Sequence, residues 1–182
     1  MILKRIFDIL FSLIAIILLS WLLVLCYLIA SFDTSSNGFF FQKRVGQFGQ
    51  LFTIIKLKTL HPQTGKISKI GMFLRKYKLD ELPQLINVLF GDMSIVGPRP
   101  DISGYYDKLV GEKRKILELK PGITSLASIK YYDEEEILEK QDNPLYYNDT
   151  VIFPDKIKMN LDYFYKRSFL LDLKIILKTI FK

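Results

Sequence analysis

Residues 9–32 read ILFSLIAIILLSWLLVLCYLIASF, twenty-four positions without a charge, bounded by Asp8 and Asp33. As a helix this stretch would be about 36 Å long at 1.5 Å per residue, enough to cross the core of a bilayer. It is long for the apolar part of a cleavable signal, and no small-x-small cleavage site follows it. It is also more apolar than the buried helices of soluble domains. Two courses through a membrane stay open. Lys4 and Arg5 precede the segment and favour a cytoplasmic N-terminus, and every other Lys and Arg of the chain follows it. A straight span would put one of these groups outside, whereas a re-entrant helix leaves both inside. Ser20-Trp21 lies at the midpoint, without a proline, and a serine there can bond back to a carbonyl and bend the helix.

Composition narrows the chemistry. A length of 182 residues suits one domain with an appendage. A single Cys excludes an internal disulfide framework and a cysteine-rich zinc site, and a single His excludes a multi-histidine metal centre. Acid–base and nucleophilic work then falls on carboxylates, lysines, hydroxyls or tyrosines. The 26 Lys and Arg outweigh 19 Asp and Glu to give a net charge of +7, yet mean hydropathy is +0.19. A chain both basic and apolar points to a membrane, with anionic lipid or phosphate ligands nearby.

Working outward, Asp33 to Gly38 is turn chemistry, and Phe39-Phe40-Phe41 and Leu51–Lys58 read as short strands separated by Gly46 and Gly49. His61-Pro62 through Ser68 reads as a loop, with His61 a bland loop residue. Gly71–Tyr77 is basic and partly apolar. Leu82–Phe90 carries a helical apolar stripe, Gly91–Pro100 is a loop, and Ile102–Leu119 reads as a helix. Lys120-Pro121-Gly122 is a firm break, and Asp133–Glu139 is an acidic, solvated helix face. Ile157–Lys182 is a second membrane candidate. A helical wheel there puts Asp172, Lys174, Lys178, Thr179 and Lys182 on one side. Leu173, Ile176, Leu177, Ile180 and Phe181 take the other, the pattern of an interfacial amphipathic helix or of a helix packed on a core.

Chemistry concentrates in Leu79-Asp80-Glu81-Leu82-Pro83-Gln84-Leu85 and Gly91-Asp92-Met93-Ser94-Ile95-Val96-Gly97-Pro98-Arg99-Pro100. Asp80 stands where a helix N-cap belongs, with Glu81 and Pro83 in the first turn. Arg75, Lys76 and Lys78 lie just upstream and Arg99 just downstream. Cations keep carboxylates ionised and collect phosphate. An ionised carboxylate beside a held phosphate is a nucleophile for phosphoryl transfer. Pro98 and Pro100 stiffen the loop of Arg99, and Gly97 lets backbone approach closely.

These segments resemble the small monotopic polyprenyl-phosphate sugar-1-phosphate transferases of bacteria. Lys4-Arg5 with Asp8, Phe39 to Gly46, Lys56-Leu57-Lys58-Thr59-Leu60, Leu79–Leu85, Gly91–Pro100, Pro121-Gly122-Ile123-Thr124 and Ser168 to Ile175 match the family's blocks in order. The resemblance implies a helix-rich α+β fold. Residues 1–32 would form a membrane-embedded, re-entrant helix. Residues 33–182 would form a cytosolic catalytic domain at the membrane interface, with amphipathic helices and a small α/β part with short strands.

It also implies transfer of a sugar-1-phosphate from a UDP-sugar to polyprenyl (undecaprenyl) phosphate with release of UMP. This would be the first step of assembling a capsule, exopolysaccharide or other glycoconjugate at the bacterial inner membrane. Asp80 would be the nucleophile, forming a covalent phosphosugar intermediate. Asp80 and Glu81 would hold Mg²⁺. Arg75 and Arg99 would hold phosphates or the nucleotide, and Arg44, Lys56, Lys58, Gly97, Pro98 and Lys120 would contact substrate. Downstream membrane glycosyltransferases are conceivable partners, while nucleic acid is not, since no recognition motif is present.

The chain departs from the family pattern in places. Trp21 stands where a proline follows the midpoint serine, and Lys78 precedes Leu79 in place of serine. Lys120 replaces an arginine, and Ser125-Leu126-Ala127-Ser128 replaces a segment with tryptophan and glutamine. Asn160 replaces an aspartate, with Asp162 two positions on as a candidate substitute. The alternative from another class is a membrane-anchored docking protein that binds anions without catalysis. Its basic surface would suffice, but it gives no reason for Asp80-Glu81 beside Arg99.

Overall fold

The computed structural model describes residues 2–181. The chain divides into two compact units, Met1–Arg44 with Leu51–Met93, and Val45–Gln50 with Ser94–Lys182.

The first unit begins with helix α1 (Ile2–Asp33), whose helical course runs uninterrupted through Ser20-Trp21. Without proline no backbone donor is lost there, and the Ser20 hydroxyl donates to the Ile17 carbonyl at 2.9 Å, a back-bond that bends a helix without ending it. One stripe is buried, at Asp8, Ser12, Cys26 and Ala30. The rest stays bare: Ile17, Leu18 and Trp21 are 63%, 66% and 66% exposed. Each such side chain gains about 1.5–3 kcal/mol on leaving water, so a bilayer is the solvent this surface suits. Both ends of α1 are tied to the unit. Arg5 donates to the carbonyls of Val88 and Leu89 at 2.6 and 2.9 Å, while Cys26 and Ala30 pack with Leu57 and Leu74.

Strands β1 (Phe39–Val45) and β2 (Leu51–Leu57) pair across residues 46–50. So short a connection forces an antiparallel hairpin. Helix α2 (Lys69–Lys76) starts at Ser68, whose Oγ accepts from the Gly71 amide and donates to Asp33 Oδ2 at 2.7 Å. Helix α3 (Gln84–Phe90) ends where Gly91 takes a left-handed φ of +97°, as glycine does without strain.

In the second unit, β3 (Ser94–Val96) lies parallel to β4 (Gly122–Thr124), with Ser94 opposite Gly122 and Val96 opposite Thr124. A Cβ on Gly97 would stand 2.3 Å from the Lys120 carbonyl oxygen, and one on Gly122 would stand 2.1 Å from the Gly97 nitrogen. The expected close approach at Gly97 is therefore made by the protein's own backbone. The short helices α4 (Leu126–Lys130), α5 (Glu134–Glu139) and α6 (Pro144–Tyr147) follow. A π turn, Asn148–Ile152, then leads into α7 (Phe153–Lys166) and α8 (Phe169–Ile180). Val45, Tyr106, Leu109, Ile116, Leu117 and Ile157 form a core.

The helix-rich α+β class and the N-terminal apolar helix expected from the sequence are present. Three local expectations fail. Ile102–Leu119 is not one helix but 3-10 segments at Tyr106–Lys108 and Gly111–Glu118, because Gly104 and Gly111 take left-handed φ values of +113° and +59°. Gly91–Pro100 is not all loop, since Ser94–Val96 pairs with β4 as a strand. Residues 157–182 are not one continuous helix either: the chain leaves helical geometry at Arg167, and Ser168 caps α8 by accepting from the Leu171 amide at 3.2 Å.

On α8 the side that faces the core is Asp172 with Ile175 and Ile176, while Leu170, Leu177, Ile180 and Phe181 are exposed near Lys174 and Lys178. The helix is thus core-packed on one side and amphipathic on the other. Lys182 lies outside the described residues.

Candidate active site

Asp80 and Glu81 sit on a reversal between α2 and α3. Lys78 adopts a left-handed conformation with φ +55°, which costs a lysine about 1–2 kcal/mol. It redirects the chain into the 3-10 turn Leu79–Glu81. Asp80 does not cap α3. That helix starts behind Pro83 with no side-chain cap. The amides of Glu81, Leu82, Leu85 and Ile86 already donate to the carbonyls of Lys78, Leu79, Leu82 and Pro83. Pro83 brings no N–H, so little remains for a cap to satisfy.

The Asp80 side chain is therefore left over. It is 7% exposed, and its Oδ1 has no hydrogen-bond partner within the protein. Burial, and next the charge of Glu81, push its pKa up to about 6, while Lys56, Arg75 and Lys78 pull the other way. Burial prevails because desolvation penalises the charged form more than these cations favour it.

The surrounding charges are themselves positioned. Lys56, on β2, reaches Glu81 Oε1 at 3.0 Å, with both side chains largely buried. Arg75, in the last turn of α2, donates from Nε to the buried Thr59 hydroxyl at 2.9 Å. The first unit thus gathers Asp80, Glu81, Lys56, Arg75 and Lys78. Lys58 and Arg44 engage other partners: the Lys58 ammonium donates to Ser36 Oγ at 2.9 Å and Arg44 Nη2 to Gln42 Oε1 at 2.6 Å.

Gly97, Pro98, Arg99 and Lys120 belong to the second unit. There Pro98, Arg99 and Pro100 line a cleft of about 20 Å³ with Tyr106 and Leu119, room for about one water molecule. Asn160 is buried and donates to the Tyr106 hydroxyl at 2.8 Å. Asp162 is half exposed and pairs with Lys166 at 2.6 Å, so it does not take over the place of Asn160. His61 is partly buried in its loop, its amide donating to the Lys66 carbonyl.

Two residues at the dyad had no role from the sequence. Asn87, 3% exposed, is the bracket that holds α3 on β2. Its Oδ1 accepts from the Ile55 amide at 3.0 Å, and its Nδ2 donates to the Thr53 carbonyl at 2.8 Å. Gln84 is 2% exposed, and its Nε2 has no partner. The visible signal was a pair of amides one turn apart in an otherwise apolar stripe.

The first unit thus joins a membrane-suited helix, α1, to a separate turn that carries a buried, uncapped carboxylate among cations. The model of the bacterial sugar transferase family matches residues 1–182, and the chain belongs to that family, whose named relatives are phosphoglycosyl transferases. It is 32% identical to the "Uncharacterized sugar transferase EpsL" of Bacillus subtilis (strain 168), over 100% of this chain and 87% of that protein. It is also 32% identical to a UDP-glucose:undecaprenyl-phosphate glucose-1-phosphate transferase of Caulobacter vibrioides, over 97% of this chain and 68% of the relative. A Klebsiella pneumoniae protein of the same name is 34% identical over 100% of this chain but 40% of its own length. The family decides for an enzyme over a docking protein without catalysis.

Proposed function

We propose that the protein transfers a sugar-1-phosphate from a UDP-sugar to undecaprenyl phosphate, releasing UMP, through a phosphosugar covalently held on Asp80. The observation that carries this is the buried Asp80 carboxyl, with one oxygen unpartnered, on a turn flanked by Lys56, Arg75 and Lys78. The printed names of the Caulobacter and Klebsiella relatives support the choice of donor and acceptor classes.

In the first step an Asp80 oxygen attacks the sugar-linked phosphorus. A P–O bond to Asp80 forms, the P–O bond to the nucleotide breaks, and UMP leaves with the electron pair. In the second step a polyprenyl phosphate oxygen attacks the same phosphorus and Asp80 departs as carboxylate. Nothing is oxidised or reduced. At neutral pH Asp80 is ionised despite its raised pKa, and desolvation leaves it a poorly hydrated, reactive nucleophile. Lys56 holds Glu81 so that the second carboxylate stays in place beside the first. Arg75 is a proposed phosphate contact, and so is Arg99. Each is tested singly through KM for the UDP-sugar.

Asp80 and Glu81 would hold Mg²⁺. Among the described residues no group of three or more metal-ligating side chains occurs. Two carboxylates with one unpartnered oxygen still fit an ion that takes only one or two from the protein and fills its shell with water and substrate phosphate. Once bound, the metal supplies charge neutralisation at the diphosphate.

For the membrane course we propose re-entrance, with the catalytic part on the cytosolic face of the inner membrane. The attachment of both ends of α1 to one compact unit supports it, because a spanning helix would carry its ends to opposite faces. Detergent-solubilised protein given Mg²⁺, undecaprenyl phosphate and a panel of UDP-sugars should release UMP with at least one of them. Absence of UMP across a broad panel would contradict the proposal.

A further inference from the structure

We propose that the Gln84 carboxamide is a hydrogen-bond donor held for a non-bridging oxygen of the phosphoryl group that Asp80 takes up. The inference rests on the Asp80 reading above and adds a residue to it. Helix α3 buries two amides one turn apart, and they are used differently. Asn87 spends both ends of its amide on the backbone of β2. Gln84 is just as buried, yet its Nε2 donates to nothing in the protein.

A buried amide left unpaired costs about 1–3 kcal/mol, whereas an apolar side chain of similar shape would cost nothing comparable. Folding therefore gains nothing from a donor at this position. Asp80 lies four residues earlier along the same turn-and-helix path, and its Oδ1 is also buried and unpartnered. A donor and an acceptor one turn apart that do not satisfy each other both wait for a third group.

The nature of that group follows from the two chemistries. A cation could satisfy Asp80 but offers nothing to an N–H donor. A phosphoryl group satisfies both: phosphorus bonds to the Asp80 oxygen, and a non-bridging oxygen accepts from Gln84. A neutral donor also suits this place, because it meets the charge on the phosphoryl oxygens without adding another cation to pair with Asp80 or Glu81 beforehand. A donor preorganised in a desolvated site accelerates charge development without reorganising at the moment of reaction.

The test is Gln84→Met in the full-length, detergent-solubilised enzyme. Thermal unfolding is read alongside the rate at which UDP-sugar alone adds a phosphosugar mass to the protein. The melting midpoint should equal or exceed that of wild type, since an orphaned amide is removed. Adduct formation should slow about 100-fold, the loss typical of one such donor, with KM changing much less. Gln84→Leu removes the donor with a branched apolar side chain, adds no charge beside Asp80 and Glu81, and should be slowed as much.

Adduct formation within twofold of wild type in either variant overturns the role of Gln84 and leaves Asp80 standing. A lower midpoint with unchanged chemistry would make Gln84 structural and overturn it too. Wild-type turnover without any adduct would sink both the Asp80 reading and this one.

Discussion

Two aspartates of this protein are equally hidden and chemically opposite. Asp172 on α8 is 3% exposed, and its Oδ1 accepts from the Tyr163 hydroxyl at 2.5 Å. Asp80 is 7% exposed, and its Oδ1 accepts from nothing. Burial alone therefore says little about role. A carboxylate whose lone pairs are used holds a fold together. One whose lone pairs are idle, with its pKa raised to about 6, burdens the fold and is explained by what it does to a ligand.

The largest effect that could break this contrast is on turnover. Asp80→Asn should lower kcat by more than about 1,000-fold, equivalent to about 4 kcal/mol of barrier. Near-wild-type turnover in that variant would remove Asp80 from the chemistry.

Stability should move in opposite directions at the two sites. Asp172→Ala removes the buried acceptor of the Tyr163 hydroxyl and should cost about 1–3 kcal/mol in a denaturation series. Asp80→Asn should instead stabilise at pH 7, by at most about 3 kcal/mol for a pKa raised by roughly two units. The folded carboxyl keeps its proton up to about pH 6, whereas the unfolded chain releases it near 3.8. Stability from this group is thus present below that window and lost as pH rises through it. The denaturation midpoint of wild type minus that of Asp80→Asn, followed from pH 4 to 7, reads this directly.

A smaller effect concerns the reaction's acid limb. The rate should fall on the acid side, as Asp80 takes up its proton. Lys56→Met removes the partner of Glu81 and one cation that lowers the Asp80 pKa. Its acid limb should move to higher pH, so that the variant loses more activity at pH 6.5 than at pH 8. An unmoved limb would detach the titration from Asp80.

The sequence made visible what is local and periodic. The charge-free run 9–32, the hairpin strands, the stripe of α3 and the dyad with its upstream cations all lie within short windows where spacing reports environment. It did not disclose pairings made at a distance. Strands β3 and β4 are three residues each and meet across the 3-10 segments between them, too short to carry a pattern of their own. Ile102–Leu119 has helical spacing, but the left-handed glycines at 104 and 111 divide it.

At the site, acids before a helix suggested a cap at Asp80. The 3-10 turn used the backbone donors first and left the carboxylate idle. The difference between Asn87 and Gln84, or between Asn160 on Tyr106 and Asp162 on the surface, depends on what the facing element offers. No single stretch of sequence contains that.

The central claim is that Asp80 itself becomes covalently loaded, and intact-protein mass spectrometry after exposure to a UDP-sugar and Mg²⁺, without lipid acceptor, tests it most directly. Wild type should gain the mass of one phosphosugar, on the peptide that contains Asp80. The adduct should be absent in Asp80→Asn and discharged on adding undecaprenyl phosphate. An enzyme that turns over with acceptor present, yet never carries that mass or carries it equally in Asp80→Asn, would contradict the account.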